Sequence, residues 1–226
     1  LNNTIVQYDK NYLEHLSVYN RLLKQRNSVL KDYIERRYFD KDYLMVLTQQ
    51  MEPSANYIYN ARKLFIEQFQ ASFKSYYKKI AQDEEECNIE YASGLDAKDF
   101  IIGTTEGLEK DRALGRTSFG IHKDEISFLI NGHAIKDFGS QGQLKSFIFA
   151  LKFSQHDILS LLTGKKPLLL LDDIFDKLDP QRVHQLMKII SGQSFDQVFI
   201  SDTHKDRIPQ IVSEVTIEGI SEIFLQ

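Results

Sequence analysis

Apolar positions recur with a helical period through residues 1–82. Leu13, Leu16, Leu23, Leu30 and Ile34 follow the alternating three-and-four spacing of a heptad seam, and Asn20 and Asn27 occupy the intervening seam positions. Arg21, Lys24, Arg26 and Lys31 fill the flanks. About three heptads predict a short helical arm rather than a long coiled coil. A second helix is expected over 40–51, ended by Met51-Glu52-Pro53-Ser54 because proline lacks the N–H that a helix interior needs. A third is expected over 54–82, where Tyr57, Leu64, Phe65, Phe69, Phe73 and Tyr76 cluster at helical spacing. Those rings could stack on nucleic-acid bases, but this spacing favours packing against a neighbouring helix. The acidic run Asp83-Glu84-Glu85-Glu86 is expected to close the segment as a solvated loop.

The pattern changes at Cys87. Asn88-Ile89-Glu90-Tyr91 predicts a strand, and 96–113 a helix despite Gly103 and Gly107. Residues 126–130 alternate and run into Asn131-Gly132, a strong hairpin-turn signal, with 133–138 as the partner strand. A helix of about six turns follows over 141–162. Pro167-Leu168-Leu169-Leu170-Leu171 is a continuous apolar run, which suits a strand buried on both faces, as in a parallel sheet. A helix over 180–191, a strand over 197–201, a short helix and a last strand over 212–217 complete the series. Strands alternating with helices predict an α/β layer. The expected division is a helical arm over 1–86 and an α/β part over 87–226.

Composition narrows the class. The chain has 226 residues, 42% of them apolar and 27% charged, an ordinary globular balance for one or two domains. A single cysteine, Cys87, excludes a disulfide framework and favours a reducing, cytoplasmic setting. No run of about 18 apolar residues is present, so no membrane span is expected. The opening Leu1-Asn2-Asn3-Thr4 resembles neither a signal peptide nor a natural start, which leads to the expectation of a chain cut from something longer. The net charge of −4 hides a split: residues 1–82 carry a net of +5 and residues 83–226 a net of −9. Such a sign change says more about partners than the total does.

Four stretches carry candidate chemistry. Leu168-Leu169-Leu170-Leu171-Asp172-Asp173 puts two carboxylates at the C-terminal end of an apolar strand, where open α/β sheets bind ligands. Asp172 could hold Mg²⁺ through water, since a hard cation prefers oxygen ligands. Asp173 is placed to orient or deprotonate a water attacking a γ-phosphate. Asp179-Pro180 opens the next helix, and an N-cap with proline at the first helical position accounts for both residues without further function. Before the long helix stands Phe138-Gly139-Ser140-Gln141-Gly142-Gln143, where glycines permit close backbone approach and the helix N-terminus offers N–H groups to an anion. A simple capped helix start would look the same. Finally, Val198-Phe199-Ile200-Ser201-Asp202-Thr203-His204 sets a histidine just past another buried strand, on the same sheet edge as Asp172.

Together, and in this order, these elements resemble the second half of an ATP-binding-cassette (ABC) ATPase, with its signature, Walker B strand, D-loop and switch histidine. More narrowly, Ser140-Gln141-Gly142-Gln143 and Leu169-Leu170-Leu171-Asp172-Asp173-Ile174-Phe175 resemble the bacterial RecF family, of the SMC-like branch. So do Tyr19-Asn20-Arg21-Leu22-Leu23-Lys24-Gln25-Arg26-Asn27 and Gly120-Ile121-His122-Lys123-Asp124. Ile121 stands where that family tends to have proline, Lys123 where arginine is usual, and Asp173 where most cassette ATPases have glutamate.

The resemblance implies the C-terminal part of an ABC-type head with an inserted helical arm. It also implies ATP-driven homodimerisation and slow hydrolysis with ATP and Mg²⁺. Ser140, Gln141, Gly142 and Gln143 would close in trans on the nucleotide, Asp172 hold the metal, Asp173 position water, Asp179 communicate across the dimer and His204 sense the γ-phosphate. Implied partners are double-stranded, gapped or junction DNA, with RecR, RecO and RecA. The arm residues Lys24, Arg26, Lys78 and Lys79 are the candidates for DNA contact. No Gly-x-x-x-x-Gly-Lys-Ser/Thr loop occurs: Gly115 to Gly120 is followed by Ile121-His122, and Gly164-Lys165-Lys166-Pro167 lacks the glycine loop. The phosphate loop is therefore expected upstream of Leu1, and these residues alone are expected to be inactive. Two other classes share parts of this pattern. One is a transport ATPase subunit, which would not insert a long basic arm ahead of the signature; the other is a non-enzymatic helical interaction module.

Overall fold

The computed structural model of the chain describes residues 1–36, 40–81, 85–172, 174–175, 178–192, 195–202, 209 and 221. Helices α1 (Asn2–Ile5), α2 (Lys10–Arg36) and α3 (Lys41–Ala81) precede strand β1 (Cys87–Ala92). Helices α4 (Phe100–Glu106) and α5 (Leu108–Leu114) follow, then strands β2 (Glu125–Ile130) and β3 (His133–Ala134) and the single turn α6 (Ile135–Phe138). The long α7 (Gln141–Thr163), β4 (Leu169–Asp172), α8 (Pro180–Gly192) and β5 (Val198–Ser201) follow. Strands β1, β2 and β3 form one sheet in that order, and β4 pairs with β5 in a second. The mixed helix-and-sheet architecture agrees with the α/β expectation. Two compact units divide the chain: Leu1–Gln70 with Ile89–Phe128, and Ala71–Asn88 with Leu129–Gln226.

In the first unit α2 is buried along a face that is rotated from the leucine seam and shares Leu30 with it. Tyr12, Tyr19, Leu22, Arg26 and Leu30 are the buried residues, whereas Leu13 and Ile34 are 50% and 45% exposed. The tyrosine rings bury more surface than leucine, and their hydroxyls find partners inside. Helix α3 also departs from expectation, running unbroken through Pro53. An interior proline costs about 3 kcal/mol. Met51 and Ile58 on either side are fully buried, and burial of each stabilises by roughly 1.5–3 kcal/mol, so packing outweighs the missing hydrogen bond. The helix expected over 96–113 is two short ones meeting at Gly107, which serves as C-cap of α4 and N-cap of α5.

In the second unit the Asn131-Gly132 turn forms as predicted, both residues adopting positive φ (49° and 77°) as a type I′ turn requires. Ile130 pairs with His133 and Leu129 with Ala134. The partner strand stops there, and residues 135–138 form a helical turn closed by the Gly139 N–H on the Ile135 carbonyl at 2.9 Å. A side chain at Gly139 would meet that carbonyl oxygen at 2.6 Å, so glycine is required at this tight exit into α7. The last turns of α3 pack on α7 through rings, with Phe73–Phe147 centroids 4.6 Å apart and Tyr76–Phe153 5.4 Å apart. These aromatics are core, as their spacing suggested.

Strands β4 and β5 run parallel, with Leu169 opposite Val198 and Asp172 opposite Ser201. Leu169 and Leu171 are buried, but Leu168, Leu170 and Phe199 are 59%, 72% and 47% exposed. Among the described residues the expectation of burial on both faces is thus met on one only, because successive strand residues point to opposite faces. The short helix and strand expected up to residue 217 lie outside the described residues. Cys87 is buried, which pushes its thiol up to about 11 and leaves it protonated near neutrality. Among the described residues no helix is long and apolar enough to cross a membrane.

Candidate nucleotide-associated site

The start of α7 is built from a reciprocal cap. Ser140 has extended backbone, its Oγ accepts the Gln143 N–H at 3.2 Å, and its own N–H donates to Gln143 Oε1 at 2.7 Å. This capping box satisfies two of the free donors at the helix end. The first intrahelical bond runs from Leu144 N–H to the Ser140 carbonyl, so the N–H groups of Gln141 and Gly142 precede the helical ladder. They point out of a helix end that favours negative charge. The plain structural role of Ser140 is therefore present, together with the geometry an anion would use.

Asp172 ends β4 in register with Ser201 at the end of β5. Its carboxylate is exposed, and Oδ1 accepts a short hydrogen bond from the Ser201 hydroxyl. Among the described residues no group of three or more His, Cys, Asp or Glu side chains could hold a metal ion. The single described carboxylate, Asp172, suits a Mg²⁺ whose remaining ligands are water and phosphate oxygens. Asp173 and His204 lie outside the described residues. Ile174 and Phe175, just after the carboxylates, are 2% and 5% exposed and anchor the turn.

Asp179 caps α8: its Oδ1 accepts the Arg182 N–H at 2.9 Å, and its Oδ2 lies 3.1 Å from Arg182 Nε. Arg182 then reaches further. Its Nη1 donates to Ser146 Oγ in α7 at 2.9 Å and its Nη2 to Glu85 Oε1 at 3.2 Å. Glu85 Oε1 also accepts Gln143 Nε2 at 2.9 Å, and Oε2 accepts a short hydrogen bond from the Tyr77 hydroxyl. Burial alone would raise the Glu85 carboxyl, but the Tyr77 and Gln143 bonds and the Arg182 charge outweigh it and hold it below the usual value. The same contact, added to burial, drives the Tyr77 phenol upward. Glu85 is thus not part of a solvated loop: its side chain is 12% exposed. Neither Glu85 nor Arg182 stood out in the sequence; the only available signal was Arg182 three residues after a helix-capping aspartate.

The arm candidates separate. Lys24, Lys78 and Lys79 are exposed, and the Lys79 ammonium lies over the Tyr76 ring at 5.5 Å. Arg26 is 1% exposed and cannot offer its guanidinium to a phosphate. It donates to Asp111 Oδ2 at 2.7 Å, to Thr117 Oγ1 at 2.6 Å and to Thr48 Oγ1 at 3.1 Å. A second buried cation, Arg62, binds Asp124 Oδ2 at 2.5 Å and the Ile121 carbonyl at 2.7 Å. Asp124 also accepts the hydroxyls of Tyr91 and Ser93. Both motifs of the first unit that carry the family resemblance are therefore built into its polar core. A cleft of about 550 Å³ opens beside Tyr19, Arg62, His122 and Asp124, whose polar atoms are already partnered.

Set against known proteins, no protein-family model matches the sequence. The chain is 43% identical to the DNA replication and repair protein RecF of Flavobacterium johnsoniae, across 94% of this chain and 59% of that protein. It is 39% identical to the same-named protein of Bacteroides thetaiotaomicron, across 93% of this chain and 56% of that one. The chain thus spans less than two thirds of the length of the curated relatives it matches. Among solved structures it resembles the recombination mediator protein RecF-ATP of the RecFOR pathway, with a TM-score of 0.76 and 27% identity over 91% of this chain and 56% of that one. The ATPγS counterpart gives the same TM-score at 29% identity over 90% of this chain. Over the segment that these relatives share with it, the chain belongs to the RecF family of DNA replication and repair proteins.

Proposed function

We propose that this chain is part of a DNA-binding, ATP-dependent recombination mediator of the cytoplasm. It dimerises on ATP, binds double-stranded DNA beside single-stranded gaps or junctions, and promotes RecA loading together with RecR and RecO. What supports this above all is the likeness of the chain, over nine-tenths of its length, to RecF with ATP. The capped start of α7 and the carboxylate at the end of β4 are chemically suited to that reading.

In the closed dimer the Ser140 hydroxyl and the N–H groups of Gln141 and Gly142 meet the γ-phosphate held by the other subunit, and Gln143 keeps Ser140 oriented through the cap. Asp172 is the residue that would hold Mg²⁺, which supplies charge neutralisation at the phosphates when bound. Asp173 orients the attacking water, and an aspartate there in place of glutamate suits slow turnover. Asp179 carries the state of one site towards the other, and His204 senses the γ-phosphate. Lys24, Lys78 and Lys79 supply phosphate contacts to DNA.

The test is Asp173→Asn in the intact protein, followed by light scattering after ATP addition. The expected result is ATP-induced dimers that persist well beyond those of the unsubstituted protein while ATP still binds. Unchanged turnover and dimer lifetime would remove Asp173 from the mechanism. ATP hydrolysis by the intact protein that is lost in Asp172→Ala would settle against the non-enzymatic interaction module, and no hydrolysis by the intact protein would favour it.

A further inference from the structure

The sequence motifs draw attention to the strand end, yet in the second unit a connected polar arrangement lies around a guanidinium and a carboxylate outside the four stretches of candidate chemistry. Arg182 makes contacts with three separate parts of the chain. One is Asp179, the cap of its own helix; the second is Ser146 in the second turn of α7; the third is Glu85, between α3 and β1. Glu85 in turn holds Gln143, the residue whose side chain completes the cap on Ser140. The side chains of Arg182 and Glu85 are 17% and 12% exposed, so water competes weakly for either.

We propose that Arg182 and Glu85 are positioning residues that hold the N-terminus of α7 and the N-terminus of α8 in one register. A change at Asp179 is thereby felt at Ser140, and the reverse. The physical basis is the planar fork of arginine, which fixes several partners at once in a way that a lysine point charge cannot. Ser146 and Gln143 lie on α7 at positions three apart, on one helix face, and the Arg182–Glu85 pair grips that face at both places. Moving either helix start alone breaks at least one charge-assisted bond. This inference deepens the nucleotide reading, because Ser140 and Asp179 are the residues proposed above to meet nucleotide and the second subunit.

Two measurements on the intact protein separate this inference from the reading it rests on. The first needs no nucleotide: amide hydrogen exchange in the first turns of α7 and α8, with α2 as the control. Arg182→Met should speed exchange at least tenfold in both turns and leave α2 unchanged. The milder Glu85→Gln, which keeps the shape of the side chain, should act at the same two places to a smaller extent. Acceleration confined to α8 would overturn the coupling. The second measurement is ATP affinity against ATP-driven dimerisation. Arg182→Met should weaken the dimer at least tenfold with ATP affinity within twofold, and Arg182→Lys should restore only part of it. Equal loss of ATP affinity and dimerisation would reduce the pair to a general folding role and overturn the proposal. If the unsubstituted protein fails to dimerise with ATP, the nucleotide reading falls, and the exchange result alone decides the coupling.

Discussion

The hydroxyl of Tyr19 lies 2.8 Å from Nδ1 of His122, a hydrogen bond between residues 103 apart in the sequence. The other ring nitrogen, Nε2, is 3.0 Å from the Thr117 carbonyl, which can only accept. Nε2 therefore carries a proton, and in the neutral ring Nδ1 accepts from tyrosine, so both nitrogens are used.

Burial pushes the His122 pKa below its ordinary value of 6.5. The unfolded chain thus binds a proton at about pH 6.5 that the folded chain refuses, and stability falls as pH drops from there towards the folded pKa. Urea unfolding midpoints should decline between pH 7.5 and pH 5. His122→Gln should flatten that decline; an unchanged slope would assign the pH dependence to other groups.

Arg26 and Asp111 are each about 1% exposed. Replacing Arg26 by methionine leaves a buried carboxylate without its cation, an expected loss of roughly 3–5 kcal/mol. Adding Asp111→Asn should recover part of this loss, which a double-mutant cycle in urea measures. Independent, additive losses would show that the pair is not the stabilising unit.

Ser140 has a structural role and a proposed phosphate role, and two substitutions separate them. Ser140→Ala removes the cap, an expected cost of about 1 kcal/mol to the stability of the second unit. Ser140→Asp retains a good cap, so stability should change little, yet it sets a negative charge against the incoming phosphate. ATP-driven dimerisation should be lost in Ser140→Asp. Normal dimerisation there would confine Ser140 to capping.

With Arg26 buried, the proposed DNA-contact set reduces to Lys24, Lys78 and Lys79. Neutralising all three should make the slope of log K against log salt shallower by up to about 2.7, at roughly 0.9 per phosphate contact. Titrations of duplex DNA at several salt concentrations read this directly. An unaltered slope would place the DNA contacts elsewhere.

The sequence pattern located most elements but misjudged the faces they bury. Period alone favoured the leucines of α2, because apolar character is the only burial signal it contains. Tyr12, Tyr19 and Arg26 enter the core by finding polar partners such as Thr48, Asp111 and His122, which the pattern cannot see. Pro53 was overestimated for a related reason: a local rule ended the helix, while the burial of Met51 and Ile58 carried it on. The Asn131-Gly132 turn and the Ser140 cap were legible because each depends on neighbouring residues alone. Glu85 and Arg182 were invisible, being 97 residues apart and joined only by folding.

The two buried arginines have a consequence for how such a chain can change over generations. Arg26 with Asp111 and Arg62 with Asp124 each occupy core volume with opposite charges. A single replacement at any of the four positions passes through a state with a stranded buried charge, whereas a paired replacement by apolar residues need not. Across relatives these positions are therefore expected to vary in couples or to stay fixed. An alignment in which Arg26 varies freely beside an invariant Asp111 would contradict the arrangement.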